Sequence, residues 1–369
     1  MSPRANRIGG SGLRRSVCSR TTLAAVVTVA LGAGATVRQR SVGHAAISPV
    51  TSQVTLTGPA GSTAYGESVL VLSNGNYAIA DPQWSNGATT GVGAVRLYDG
   101  ATGALISTLT GSQAGDHVGG GTLAPNQGVF GADLEAGALF EVGDSDFIVV
   151  SPSWSNGAVD DVGAVTWVDG EVGLDGPVSA ANSLVGSTAS DHVGISGVRV
   201  LADGDYVVSS LSADRIGPGV PSTGYEDAGA VTWADGQVGV TGTLSIDNSL
   251  MGHYYNTQIG LGGIVELADG DYVVVSPNTP DGLFQSGDRG VITLGDGAHG
   301  THGDATIPAT PPPPEGYGPG EVTSWEGATA GDHIGSGGIV PLPDGGFVIL
   351  SPDVDDTIKV TNVGNRKEL

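Results

Sequence analysis

The chain has 369 residues, a formal net charge of −24 and 63 glycines. Charged residues make up only 14% and aromatic residues 5%, which excludes a helical bundle or a coiled coil, because both need many long aliphatic and charged side chains. The acidic balance also excludes nucleic acid as an expected partner, since binding a phosphate backbone requires a basic surface. Short strands rich in Val, Ile, Ala and Gly are therefore expected to form the core.

The first 46 residues are interpreted as a signal peptide and basic leader. Seven of the 14 basic residues lie here, without any acid, and an apolar run at 23–31 is followed by small residues at 33–35 and 45–46. The run is shorter than the roughly 20 residues of a membrane-spanning helix. We expect a bacterial protein that is secreted or exposed on the cell surface, with no transmembrane helix in the mature chain. The single cysteine, Cys18, lies in the leader, so the mature chain is expected to lack disulfides.

Residues 47–369 are predicted to form one repeat domain of five units. The units share two glycines eight residues apart, and the first glycine of each pair marks where the unit starts: Gly58, Gly111, Gly186, Gly252 and Gly327. Most units continue with a short apolar strand, an Asn-Gly or Asp-Gly turn and a second strand, which is the strongest short hairpin signal. A third strand beginning Gly-Ala-Val or Gly-Val-Ile follows, and a fourth strand runs into the next unit, as at 178–185.

Four antiparallel strands per unit, repeated radially, are typical of a β-propeller. We therefore predict an all-β propeller of about five four-stranded blades. The fifth unit has room for three strands only, whereas residues 47–57 resemble the fourth strand of the other units. The N-terminal strand is expected to pair with 357–363, to complete the C-terminal blade and to close the ring, because closure removes exposed sheet edges.

The repeat resembles two known groups of proteins. Gly-Asp-His-Val-Gly at 115–119, Asp-Tyr-Val-Val-Ser at 205–209 and Gly-Ala-Val followed by an aromatic residue resemble the FG-GAP repeats of integrin-α-type propellers. Ser-Pro-Ser-Trp-Ser-Asn-Gly-Ala at 151–158 is similar to secreted bacterial repeat proteins of unknown function. The integrin resemblance implies an extracellular adhesion or ligand-binding platform, with calcium in some blades.

Calcium is not expected at the hairpin turns. Calcium takes about six to eight oxygen ligands, and a two-residue turn such as Asn74-Gly75 or Asp203-Gly204 is too short to provide them. No cofactor is therefore predicted, while calcium bound elsewhere stays possible.

Three Asp-His pairs recur at the same point of the repeat: Asp116-His117, Asp191-His192 and Asp332-His333. An Asp-His pair has residue types that serve in metal or acid–base sites. One catalytic centre does not need copies around a ring, however. We predict that these pairs are structural, with Asp accepting hydrogen bonds from turn amides and His packing between blades.

Candidate ligand-binding residues lie in loops, above all where units depart from the repeat at 120–138, 212–227 and 297–320, because loops on a rigid scaffold carry recognition. The candidates are Trp84, Trp154, Arg215, Tyr225, His299, His302 and Asp304. The two tryptophans either stack on a ligand such as a sugar ring or cover a blade edge. His299, His302 and Asp304 are of metal-ligand type, but their loop shows no partner spacing, so a solvated Pro-rich loop is favoured.

The sequence favours a binding or adhesion module for an extracellular protein or glycan, without an evident catalytic centre. No nucleophile elbow, phosphate loop or dinucleotide-binding fingerprint occurs in a suitable context. Two alternatives stay open. One is a glycan-active enzyme that uses carboxylates in a central funnel, for which Glu67, Glu135 and Glu266 are available. The other is a structural protein of a surface array, and the oligomeric state is unknown.

Overall fold

A computed structural model describes residues 27–29, 54–121, 134–217, 220–222, 224–279, 288–305, 322–352 and 359–363. All regular secondary structure among these residues is β-strand, as the composition predicts. They include no helix with the length and apolar character needed to cross a membrane. Apart from 27–29, the predicted signal peptide lies outside the described residues.

Five larger sheets follow one another along the chain, and each begins with three consecutive antiparallel strands. Sheet 1 contains β3 (Ser68–Val71), β4 (Tyr77–Asp81), β5 (Ala94–Tyr98) and β6 (Leu105–Thr110). Sheet 2 contains β7 (Leu139–Val142), β8 (Asp146–Ser151), β9 (Ala164–Val168) and β11 (Ser183–Val185). Sheet 3 contains β12 (Gly197–Val200), β13 (Tyr206–Ser210), β14 (Ala230–Ala234) and β16 (Leu250–Met251).

The last two sheets continue this order. Sheet 4 contains β17 (Gly263–Glu266), β18 (Tyr272–Ser276), β19 (Val291–Gly295) and β21 (Thr323–Glu326). Sheet 5 contains β22 (Gly338–Pro341), β23 (Phe347–Ser351) and β24 (Lys359–Val363). The predicted set of four antiparallel strands is thus present in sheets 1 to 4.

Three units each contribute a short strand to the sheet of the preceding unit, which the sequence analysis did not predict. We call these segments the exchanged strands. Three two-residue strands pair in parallel with the outer strand of the preceding sheet: β10 (Gly176–Pro177) with β6, β15 (Gly242–Thr243) with β11, and β20 (Gly303–Asp304) with β16. The segment at 178–185, predicted as one strand, therefore enters sheet 2 only at Ser183. Before that, the Val178 N–H donates to the Thr110 carbonyl at 2.9 Å. Backbone hydrogen bonds thus hold each of these units to its neighbour.

The predicted closing pair is not the pair that forms. β2 (Val54–Leu56) lies antiparallel to β1 (Val27–Val29), and the described pairing of β24 is with β23 alone. The two N-terminal segments are close in sequence, whereas 357–363 is at the far end of the chain. Because a short loop costs less closure entropy than a long one, the local pairing is favoured. The described parts of the predicted closing segments, 54–56 and 359–363, thus lie in separate sheets, and the other residues of these segments lie outside the described ones.

Successive sheets pack face to face. Ala78 and Ala80 of sheet 1 share a core with Phe147 and Val149 of sheet 2, and similar cores join sheets 2 and 3, 3 and 4, and 4 and 5. The second strands of sheets 1 to 4 are buried on both faces. In sheet 5, β23 alternates between buried and half-buried residues. Sheet 5 thus packs with one face on sheet 4.

The Asp-Gly turns explain why glycine recurs at fixed positions. The Gly170 N–H donates to Oδ1 of Asp146 at 2.9 Å, which draws the turn after the third strand against the first hairpin of the same sheet. A Cβ on Gly170 would lie 1.8 Å from the Ser145 carbonyl oxygen, so a side chain does not fit there. Gly236 has the same arrangement in sheet 3, where its N–H donates to Asp205 at 2.8 Å.

Candidate functional site

The aspartates of the Asp-His pairs are buried acceptors of turn amides. Asp191 is 1% exposed, and its Oδ2 accepts the N–H groups of Ser187 at 2.6 Å and Thr188 at 2.8 Å. Its Oδ1 accepts the N–H of Asp214, in the loop that follows the second strand of sheet 3, at 2.9 Å. Asp116 makes the corresponding bonds, including one from the Ser155 N–H at 3.2 Å. Each carboxylate therefore closes its own turn and holds the next unit.

The paired histidines occupy a left-handed backbone conformation at this turn. Their φ angles are 46° for His117, 47° for His192 and 43° for His333. The Nδ1 atoms of His117 and His192 each lie 3.0 Å from a proline carbonyl oxygen, that of Pro82 and that of Pro152. The same contact thus recurs in two units and belongs to the repeat.

The two loop tryptophans occupy different environments. Trp154 is 3% exposed and belongs to the core between sheets 1 and 2. The alternative in which Trp154 stacks on a ligand is therefore wrong, because its ring packs inside the protein. Trp84 is half-buried; its Nε1–H donates to the Ala60 carbonyl at 2.9 Å, and the Arg96 guanidinium lies 5.0 Å from its ring centroid. Trp84 thus already contacts the Ala60 carbonyl and Arg96, while Trp154 lies in the core.

Three of the predicted ligand-binding residues come together. Nη1 of Arg215 lies 2.7 Å from Oδ2 of Asp304, and the side chains of the two residues are only 8% and 9% exposed. Tyr225 is adjacent, because its backbone pairs with that of Arg215 through two hydrogen bonds of 3.0 and 2.9 Å. Either charge would be strongly destabilising if it were buried without the other, so each of the two residues depends on its partner.

This ion pair is held in place by residues that differ from those at the equivalent points of the other units. Arg215 takes the place that Asn156 holds in sheet 2, since Asn156 pairs with Val159 in the same way that Arg215 pairs with Tyr225. The longer loop between Arg215 and Tyr225 is the insertion noted in the sequence. Asp304 comes from the following unit on the exchanged strand β20, where it lies opposite Met251.

Three further residues of this site were missed by the sequence analysis. Nδ1 of His253 is hydrogen-bonded to Oδ2 of Asp304 and lies 3.2 Å from Nη1 of Arg215. The ring centroid of Tyr225 lies 5.7 Å from that of His253 and 5.2 Å from that of Tyr255. A signal was present, because His-Tyr-Tyr at 253–255 is the one aromatic run after the first glycine of a unit, where the other units hold small or polar residues such as Ser-Thr-Ala at 187–189. We call Arg215, Tyr225, His253, Tyr254, Tyr255 and Asp304 the Arg215 cluster.

The surroundings of the Arg215 cluster are acidic. Burial raises the pKa of the Asp227 carboxyl above its ordinary value, and the charges of Asp214, Glu226 and Asp191 raise it further. These carboxylates lie in, or contact, the loop that carries Arg215 and Tyr225. The site therefore favours a neutral or cationic ligand over an anionic one.

The remaining candidates lie elsewhere. His299 and His302 are exposed and line a groove beside Trp233 in sheet 3. Among the described residues, no group of three or more His, Cys, Asp or Glu side chains is arranged to hold a metal ion. Glu266 forms an ion pair of 2.9 Å with Arg199, whereas Glu67 and Glu135 are exposed. The loops at 120–138 and 297–320 extend beyond the described residues.

Stacked antiparallel sheets joined by recurring turns define an all-β repeat protein. The family model "Repeat of unknown function (DUF5650)" matches residues 71–120, 141–195, 200–261 and 266–308, which together are more than half of the chain. The chain therefore belongs to this repeat family. The match supports a repeat of unknown function and not an FG-GAP repeat.

Two other comparisons add little. No curated protein matches the chain. Among solved structures, it is similar to Kuenenia stuttgartiensis hydrazine synthase, with 11% identity over 79% of this chain and 84% of that chain and a TM-score of 0.28. A similarity of this level carries no argument about the fold or the activity of this chain.

Proposed function

We propose that this protein is an exported binding module that recognises a protein or a glycan outside the cell through the Arg215 cluster. The observation that carries the proposal is the meeting of Arg215, His253 and Asp304. These three residues come from separate segments, and each stands where the repeat departs from its usual residue. Residues that maintain the scaffold recur in several units, whereas this combination occurs once.

The chemistry of the cluster favours binding. His253, Tyr254 and Tyr255 are half-buried, so each presents part of a ring to solvent while the rest packs against its neighbours. Aromatic rings that are fixed in this way supply contact area at a low entropic cost, and Tyr is enriched in interfaces for this reason. Asp304 holds both Arg215 and His253 in place, which pre-organises the surface around them.

Export and a propeller-like arrangement belong to the same proposal. The basic leader with its apolar run supports export, and the radial arrangement of the repeat is supported by five successive sheets that pack face to face. Propellers place loops from neighbouring blades on a shared surface, where ligands bind. The Arg215 cluster, built from two neighbouring units, fits that arrangement.

A variant that restores the repeat tests the proposal. In other units the positions of Arg215, His253 and Asp304 hold Asn156, Ser187 and Thr243, so the triple change Arg215→Asn, His253→Ser and Asp304→Thr uses residues that the scaffold already accepts. The purified full chain is mixed with washed bacterial cell envelopes, which carry surface proteins and glycans, and the bound fraction is measured by sedimentation. We expect the triple variant to bind about 30-fold more weakly, because loss of a central cluster costs about 2 kcal/mol or more.

The matched control changes exposed residues outside the cluster. Glu171→Ala with Val172→Thr introduces the residues that unit 1 holds at 101 and 102, and Val172 is 71% exposed. This control is expected to sediment like the unchanged chain. The proposal fails if the unchanged chain does not bind envelopes, or if the triple variant binds as well as the control.

A further inference from the structure

We propose that a second site, the groove beside Trp233, binds the ring of a neutral saccharide. The groove has a volume of about 340 Å³ and is lined by Trp233, Val238, Asp247, His299, Thr301 and His302. It lies between sheet 3 and the loop that enters β20. This site is separate from the Arg215 cluster, so the inference goes beyond the function proposed above.

Trp233 forms a rigid aromatic wall of the groove. Its Nε1–H donates to the Gly297 carbonyl at 2.9 Å, which fixes the orientation of the half-buried indole. A Cβ on Gly300 would lie 2.9 Å from Cε3 of the indole, so the loop backbone is packed directly against this side chain. A fixed aromatic surface with a few polar groups around it is the usual design of a small-molecule site.

The polar groups around Trp233 suit hydroxyl groups. His299, His302 and Asp247 are all exposed. Nδ1 of His299 lies 3.3 Å from Oδ2 of Asp296, which restrains that ring at the mouth of the groove. Imidazoles and carboxylates together provide both donors and acceptors, and a sugar hydroxyl needs both.

The charge of the groove selects a neutral ligand. Asp235 and Asp247 line it, Asp296 lies beside His299, and the chain as a whole carries a net charge of −24. Carboxylates of an acidic saccharide would be repelled by this field. The groove is therefore expected to prefer uncharged sugars.

Comparison with unit 3 indicates that the two histidines of this groove depart from the repeat. Trp167 of sheet 2 is the counterpart of Trp233, and its Nε1–H donates to the Gly236 carbonyl at 2.8 Å. The loop beside Trp167 carries Val238 where the loop beside Trp233 carries His299. Trp167 thus has the same structural role without the histidines, which makes it a matched control.

The experiment is an isothermal titration of the full chain with cellohexaose, maltohexaose and N-acetylchitohexaose, and with hexagalacturonate as the acidic comparison. Trp233→Leu introduces the residue that units 1 and 4 hold at 97 and 294, and Trp167→Leu is its control. We expect at least one neutral hexamer to bind more tightly than hexagalacturonate. Trp233→Leu should weaken that binding by about tenfold or more, a loss of about 1.4 kcal/mol, whereas Trp167→Leu should leave it unchanged.

A surface variant keeps the test independent of folding. His299→Val with His302→Thr changes two exposed side chains to the residues that unit 3 holds at 238 and 241, and it should weaken the same binding. The triple variant of the Arg215 cluster should retain saccharide binding even if it loses envelope binding. The inference fails if no neutral hexamer binds, if the two tryptophan variants behave alike, or if hexagalacturonate binds as tightly as the neutral hexamers.

Discussion

The Asp191 turn and the Arg215 cluster both contain a buried carboxylate, but they satisfy it in opposite ways. Asp191 takes most of its hydrogen bonds from residues three and four positions away. Asp304 takes its bonds from His253 and Arg215, which are 51 and 89 positions away. A locally satisfied carboxylate is copied with its turn, since one segment contains both partners. A carboxylate whose partners lie in distant segments requires three separate substitutions in the repeat. Such a combination indicates selection for a property other than the stability of the repeated scaffold.

The largest effect on stability is expected when Asp304 alone is replaced, and this change tests the difference between the two carboxylates. Asp304→Thr leaves the Arg215 guanidinium buried without its carboxylate, and the expected loss of stability is about 3–5 kcal/mol. The triple variant that also replaces Arg215 and His253 should recover most of that loss, because no buried charge is left unpaired. Urea denaturation midpoints of the full chain measure both. A triple variant less stable than Asp304→Thr would contradict the pairing.

Removing Asp191 is expected to have a smaller effect. Asp191→Ala leaves the Ser187 and Thr188 amides without their acceptor, at a cost of about 2–3 kcal/mol. Asp191→Thr should cost less, because Thr257 holds the equivalent place in unit 4 and its Oγ1 accepts the Tyr254 N–H at 3.1 Å. The same denaturation series tests the order. The structural role of this turn would be wrong if the alanine variant were as stable as the unchanged chain.

The smallest expected effect concerns pH. Burial raises the pKa of Asp205 above its ordinary value, with Asp203 and Asp235 adding to the shift against a hydrogen bond from Gly236. A carboxyl whose pKa is higher in the folded state destabilises the fold when it is ionised, so stability falls as pH rises from the unfolded pKa through the folded one. Asp205→Asn introduces the residue that unit 1 holds as Asn76, whose Oδ1 accepts the Gly100 N–H, and it should therefore raise the melting temperature slightly at pH 7.

The pH series also contains its own control. At a pH below the ordinary aspartate range, Asp205 is protonated in both states, so the advantage of Asn should disappear. Asp99, whose pKa is lowered mainly by its hydrogen bonds with Thr102, should behave in the opposite sense. Asp99→Asn should give no gain at pH 7. An advantage of Asp205→Asn that persists unchanged in acid would contradict a role for burial of the charge.

The sequence was sufficient to predict features that depend on one segment. Asn-Gly and Asp-Gly turns specify hairpins locally, so the antiparallel strands of each unit were predictable. The exchanged strands were not, because two residues such as Gly176–Pro177 have no periodicity to detect. The pairing of Arg215 with Asp304 depends on such a strand, and neither residue indicates the other in the sequence.

The tryptophans illustrate the same limit. Trp84 and Trp154 are both followed by Ser-Asn-Gly-Ala, so the sequence treats them alike. Trp154 belongs to sheet 2 and packs into the core shared with sheet 1, whereas Trp84 belongs to the first of the five sheets and is only half-buried. Their difference comes from the neighbouring sheet, which no local pattern records.

The central claim is that repeated polar residues maintain the scaffold and that the Arg215 cluster binds the ligand. It is tested most directly by comparing Asp191→Thr with the Arg215, His253 and Asp304 triple variant for both stability and envelope binding. The account predicts that Asp191→Thr is less stable yet binds like the unchanged chain, and that the triple variant loses about 30-fold in binding. Loss of binding in Asp191→Thr at a temperature where it is fully folded, with normal binding by the triple variant, would contradict it.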